Sequence, residues 1–164
     1  MGESKLIVGF VGGSALLVMG AVVVGMKWGS SAKVAVNNQA KVSVENSSYD
    51  WGEIGINDGD AEAVFEIKNE GSEALKLYNV TTSCACTSAQ LSLNDKVSPL
   101  FGMHSKSGYV MEVPAGEAAT LKVVYDPNFH GPNGVGAISR QVSVATNDPD
   151  KAELTFWLSA MVRK

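Results

Sequence analysis

The chain has 164 residues, of which 45% are hydrophobic and 18% charged, with a formal net charge of -4. That length holds one ordinary domain plus an appendage. The 13 basic residues are spread singly as far as the terminal Arg163-Lys164 pair, with no clustered face to neutralise phosphates, so a nucleic-acid partner is excluded.

The hydrophobic excess lies at the start. Leu6 to Met26 is a run of 21 uncharged residues between Lys5 and Lys27. At about 1.5 Å per residue, a helix of that length just crosses a hydrocarbon core of about 30 Å. Only a helix satisfies the backbone of an isolated span, and Trp28 sits at the boundary where an amphipathic ring is favoured. Residues 1–28 are therefore expected to be an N-terminal transmembrane helix, a signal anchor contacting the membrane through residues 6–26. A cleaved signal peptide is the alternative, because Ser30-Ser31-Ala32 offers small residues at cleavage spacing. Either way the remainder is expected outside the cytoplasm, in the periplasm or at the cell surface. Gly9, Gly13, Ala21 and Gly25 place small residues four apart, a pattern that allows a homodimer through the helix.

Residues 29–40 are small and polar and read as a flexible tether. Residues 41–164 change to a period of two. In Asp60–Asn69 the apolar Ala61, Ala63, Phe65 and Ile67 alternate with Glu62, Glu66 and Lys68. Asn69-Glu70-Gly71-Ser72 turns the chain into a strand over Ala74–Thr82 with Leu75 and Leu77 on one face. Pro114-Ala115-Gly116-Glu117 turns it again into Ala119, Leu121, Val123 and Tyr125. Ser139–Thr146 alternates through Val142 and Val144, and Asn147-Asp148-Pro149-Asp150 leads to Leu154, Phe156, Leu158, Ala160 and Val162. Short strands between turn clusters predict an all-β, immunoglobulin-like β-sandwich. Two stretches break the pattern and read as long loops: Ser88–Val113, with Met103 and His104, and Asp126–Ala137, with His130. Trp51, Phe156 and Trp157 read as core or flanking residues.

Six pieces in order carry a resemblance. They are Tyr49-Asp50-Trp51-Gly52-Glu53, Asn69-Glu70-Gly71, Ser83-Cys84-Ala85-Cys86-Thr87, Pro114-Ala115-Gly116-Glu117, Tyr125-Asp126 and Thr146-Asn147-Asp148-Pro149. Together, over about residues 45–162, they resemble a bacterial domain-of-unknown-function family, number 1573, whose pattern includes a Ser-Cys-Gly-Cys-Thr motif. The resemblance implies an immunoglobulin-like sandwich behind a signal peptide, lipobox or membrane anchor, and no established activity. Ala85 stands where the family has glycine, which bears on any tight turn that would need glycine's positive φ. The stretch from Leu93 to Val113 is longer than the family norm.

The chemistry concentrates in Cys84 and Cys86, which on an extended chain point to one face. Three readings stand. The pair is structural, as buried thiols or a Cys84–Cys86 disulfide favoured by an oxidising compartment. It is a metal site, with His104 and His130 or with Met103 and Met111, for copper as Cu(I) or for zinc. Or it is a thiol-redox pair, although the usual motif has two intervening residues and a helix start. No hydrolytic triad is visible, because no Gly-x-Ser-x-Gly elbow accompanies either histidine. Asp148 and Asp150 read as a turn rather than a calcium loop, and the Asn46 and Asn79 sequons as chance. The expected function is non-enzymatic: a membrane-anchored extracytoplasmic module binding protein partners through a sheet edge or its long loops, with no catalytic residues and no cofactor. The alternative is a cell-envelope metal or thiol-redox protein centred on Cys84 and Cys86.

Overall fold

A computed structural model describes residues 31–164. The expected span at 6–26, its membrane contact and its helix pairing lie outside the described residues. Among those described, no helix is long and apolar enough to cross a membrane.

Ten strands follow in chain order: β1 (Val42–Ser43), β2 (Ser48–Gly55), β3 (Ala61–Asn69), β4 (Leu75–Thr82), β5 (Thr87–Leu93), β6 (Lys96–Val97), β7 (Val110–Val113), β8 (Ala118–Tyr125), β9 (Gly136–Thr146) and β10 (Glu153–Arg163). They form two five-stranded sheets, ordered β1-β3-β8-β5-β6 and β2-β10-β9-β4-β7. All pairings are antiparallel except β2 with β10, which run parallel. The expected β-sandwich is what forms.

The alternating pattern explains the layers. In β3 the side chains of Ala63, Phe65 and Ile67 are buried while Glu62, Glu66 and Lys68 face water. Ala119, Leu121 and Val123 of β8 line the same sheet's inner face, and Phe156 and Leu158 of β10 with Val142 and Val144 of β9 line the other. Phe65 and Phe156 meet across the gap with ring centroids 4.8 Å apart. Asn79 adopts φ 49° where the β4–β9 register shifts, so Val80 rather than Asn79 faces the core.

Turn residues fix the far end of the sandwich. Asp148 is buried at 2% exposure and accepts hydrogen bonds from the Val42 and Asp150 backbone N–H groups, with Lys41 Nζ 3.6 Å away. Burial pushes its pKa up, but the two backbone donors and Lys41 outweigh that and hold it below the ordinary 3.8. A depressed folded value means that the stabilisation is complete above the ordinary carboxylate range and is lost as pH falls through the folded value. Denaturant unfolding at pH 7 and pH 3 should therefore show Asp148→Asn destabilised by about 1–3 kcal/mol at pH 7. The gap to wild type should narrow at pH 3. An equal gap at both would exclude the charge as its source.

Three expectations need correction. Ser88–Val113 is not one long loop: it holds most of β5, then β6 and β7, and leaves the Asn94-Asp95 turn and Ser98–Tyr109 outside the strands. Small polar residues (Ser88, Gln90, Ser92) alternate there with Ala89, Leu91 and Leu93, a period masked by the weak hydrophobicity of alanine. The stretch read as a tether is docked in its described part, since Ala40 is fully buried and Asn37 N–H donates to the Asn147 carbonyl. Finally, Cys84 to Thr87 is not extended. The Thr87 N–H donates to the Cys84 carbonyl, closing a turn just beyond β4.

Candidate functional site

The turn carrying the cysteines is the link by which the chain leaves one sheet at β4 and enters the other at β5. Thr82, buried at the end of β4, pins it: its hydroxyl lies 3.0 Å from the carbonyl oxygens of both Cys84 and Thr87. Ser83 N–H donates to the Gln141 carbonyl, and Asp126 N–H donates to the Cys86 carbonyl. Ala85 lies outside the left-handed region, which among non-glycine residues described here holds only Asn79 and Asn94. The turn therefore takes alanine without strain, and the glycine usual in the family is not demanded by φ.

Cys84 and Cys86 are joined by a disulfide with Cα atoms 5.2 Å apart. The two sulfurs differ. Cys86 is 3% exposed and packs with Ile56, Tyr125 and Val162, whereas Cys84 is only partly buried. His130, on the glycine-rich β8–β9 connection, brings Nε2 to 3.7 Å from Cys84 Sγ. From β9, Arg140 Nε lies 3.1 Å from Cys86 Sγ, and its guanidinium carbon stands 5.4 Å from the Tyr125 ring centre. Trp51 stacks on the same Tyr125 at 5.7 Å, its Nε1–H donating to the Glu62 carbonyl. Tyr125 is thus held between an indole and a cation.

Of the expected ligands, Cys84, Cys86 and His130 come together, with one donor atom of each lying within 4.8 Å of the others. His104 and Met103 are exposed on the Ser98–Tyr109 loop and His104 is not in that group. Met111 is buried in the main core. Arg140 and Tyr125 escaped the sequence reading as site residues. Tyr125 is opposite Thr87 in the β5–β8 register, next to Cys86, and that neighbourhood exists only once the strands pair. Arg140, one of two arginines with Arg163, carries no local sign that it will meet a sulfur 54 positions away.

The long edge strand has a different character. In β2, Gly52 has φ +68° and donates its N–H to Asp50 Oδ1, the β2–β10 register shifts there, and Glu53 is exposed. A bulged, acidic edge resists the addition of another strand.

Residues 42–99 match the model of a family described as Protein of unknown function (DUF1573). The family that the six sequence pieces resemble is thus the one whose model matches this stretch. No curated protein matches the chain. The crystal structure of a protein of unknown function from Porphyromonas gingivalis W83 is similar with a TM-score of 0.59 and 21% identity, over 77% of this chain and 50% of that one. This chain thus spans half the length of that structure. The ASH/PapD-like domain of human CEP192 is similar with a TM-score of 0.50 and 14% identity, over 80% of this chain and 91% of that one. At such identities the likeness is one of fold: the chain is an immunoglobulin-like β-sandwich.

Proposed function

We propose that this chain is an extracytoplasmic thiol–disulfide protein, tethered at the membrane by residues 6–26, with Cys84–Cys86 as its working pair. The observation that carries the reading is the asymmetry of the two sulfurs: Cys84 is partly exposed beside His130, and Cys86 is buried with the Arg140 guanidinium 3.1 Å away. An incoming thiolate, from a protein or a small molecule, attacks Cys84 Sγ. The new S–S bond joins it to Cys84, the Cys84–Cys86 bond breaks, and its electron pair leaves on Cys86, where Arg140 stabilises the thiolate. A second thiolate then attacks the incoming partner's sulfur and releases a disulfide and the Cys84 thiolate. Two electrons enter the pair, and protons from the two thiols go to solvent or to the cysteines.

A purely structural staple is the poorer account. The loop that it closes is three residues long, for which loop-closure entropy gives only about 1–2 kcal/mol, against about 3 kcal/mol for a fifteen-residue loop. The interaction role keeps its long loops as docking elements, but the bulged β2 edge weighs against strand addition.

The test is alkylation mass spectrometry of the folded full chain in detergent, exposed to graded glutathione buffers. A mixed disulfide should form on Cys84 while the β-sheet circular dichroism persists. Arg140→Gln should slow the opening step about tenfold, equivalent to about 1.4 kcal/mol. Cysteines that react only after denaturation would make the pair structural and sink the proposal.

A further inference from the structure

We infer that the reduced pair, together with His130, forms a low-coordinate site for Cu(I). This rests on the reading above, that the pair opens in the folded protein. Three features lead to it. The first is donor type: two thiolate sulfurs and one imidazole nitrogen are a soft set, suited to a soft monovalent ion. The second is spacing. One donor atom each of Cys84, Cys86 and His130 lies within 4.8 Å of the others, with His130 Nε2 3.7 Å from Cys84 Sγ. Donors so placed share one ion at bond lengths of about 2.0–2.3 Å once reduction frees the sulfurs from each other.

The third feature is charge, and it selects the ion. Cu(I) held by two thiolates and a neutral imidazole carries one net negative charge. Arg140, whose Nε is 3.1 Å from Cys86 Sγ, supplies the matching positive charge without occupying a ligand position. A tetrahedral zinc ion needs a fourth donor, and the group contains no further His, Cys, Asp or Glu among the described residues. With zinc the site would be neutral, and the guanidinium beside Cys86 would then stand uncompensated.

The chemistry balances. Two thiol equivalents reduce the disulfide and leave as one disulfide, so that the S–S bond breaks and each cysteine gains one electron and one proton. Cu(I) then displaces the two thiol protons to solvent and forms two Cu–S bonds and one Cu–N bond. Reoxidation of the pair removes both sulfur ligands, so ion binding and disulfide formation exclude each other.

The experiment uses the full chain in detergent, reduced under anaerobic conditions, with Cu(I) supplied as its acetonitrile complex and partitioned against a chromophoric Cu(I) chelator. Free thiols and β-sheet circular dichroism are measured on the same samples. One Cu(I) per chain is expected, with X-ray absorption showing two sulfurs and one nitrogen. Cys84→Ser and Cys86→Ser should abolish binding. His130→Ala should weaken it by about tenfold or more, at least what loss of an outer-shell partner costs, while His104→Ala leaves it unchanged. Folded protein with both thiols free and no Cu(I) bound would overturn this inference and leave the thiol reading standing. A pair that cannot be reduced without unfolding would overturn both. Binding that is indifferent to His130→Ala, or a preference for zinc over Cu(I), would overturn the three-donor site.

Discussion

Phe156→Ala is expected to lower the unfolding free energy by about 3–5 kcal/mol, the range for deleting a large buried side chain whose cavity cannot collapse. The position explains the size. Phe156 is fully buried on β10, between β2 and β9, and its ring meets Phe65 of the opposite sheet at 4.8 Å. Its removal opens a void at the contact between the two layers, and neither sheet is free to move into it while both are hydrogen-bonded on either side. Urea unfolding followed by tryptophan fluorescence measures the change. Phe156→Leu, which keeps most of the volume, should recover more than half of the loss, and a shift below about 1 kcal/mol for the alanine variant would mean that the ring is not wedged between the layers as described.

Asn69→Ala is expected to cost about 2–4 kcal/mol, although it removes only a small polar side chain. Asn69 is fully buried at the end of β3. Its Nδ2 donates to the carbonyls of Glu73 and Val113 at 2.8 and 2.9 Å, and its Oδ1 accepts from the Gly71 N–H at 2.9 Å. Alanine leaves these three backbone groups unpaired, some away from water, and each such orphan costs about 1–3 kcal/mol. Asn69→Asp makes a sharper test, because the carboxylate keeps the bond from Gly71 and loses both donors. It should be destabilised at least as much as the alanine variant at pH 7. Thermal melts that leave Asn69→Ala within about 2 °C of wild type would refute this role.

These two sites show what a sequence discloses and what it withholds. Phe156 belongs to an alternation, Leu154, Phe156, Leu158, Ala160 and Val162, that predicts a strand with one buried face, and all five are buried. Asn69 is legible only as a turn residue. Its importance arises from contact with Val113, 44 positions away, and from Gly71, where a Cβ would lie 2.2 Å from the Gln39 carbonyl oxygen. The Asn-Glu-Gly piece is therefore a packing motif across three segments rather than a local turn preference. Much the same holds for Asn147, which donates to the Ala74 carbonyl and accepts from the Lys76 N–H.

At the candidate site the sequence exposed the cysteines by their spacing and the histidines by their rarity. It did not separate His130 from His104, since both sit in polar, glycine-bearing stretches. The separation came from strand register: β8 finishes opposite Thr87, and β9 runs from its start past Thr82, so the connection between them is delivered to the Cys84–Cys86 turn. β5 and β6 were missed because their apolar positions include alanine and valine beside serine and lysine, too faint an alternation to outweigh Pro99, Gly102 and Gly108 nearby.

The crossing from β4 to β5 has one more consequence. The groups pressed on Cys86 come from both layers: Tyr125 from the sheet that β5 joins, Arg140 from the sheet that β4 leaves. Cys86 can meet a bulky reagent only after this rim of the sandwich has parted, whereas Cys84 meets it from the closed state. In the reduced protein the two thiols are thus labelled on separate clocks. Cys84 runs at the pace of chemistry, and Cys86 at that pace multiplied by the fraction of time the rim stands open, so under labelling slow enough for the rim to reclose first the ratio of the two rates reads its opening equilibrium.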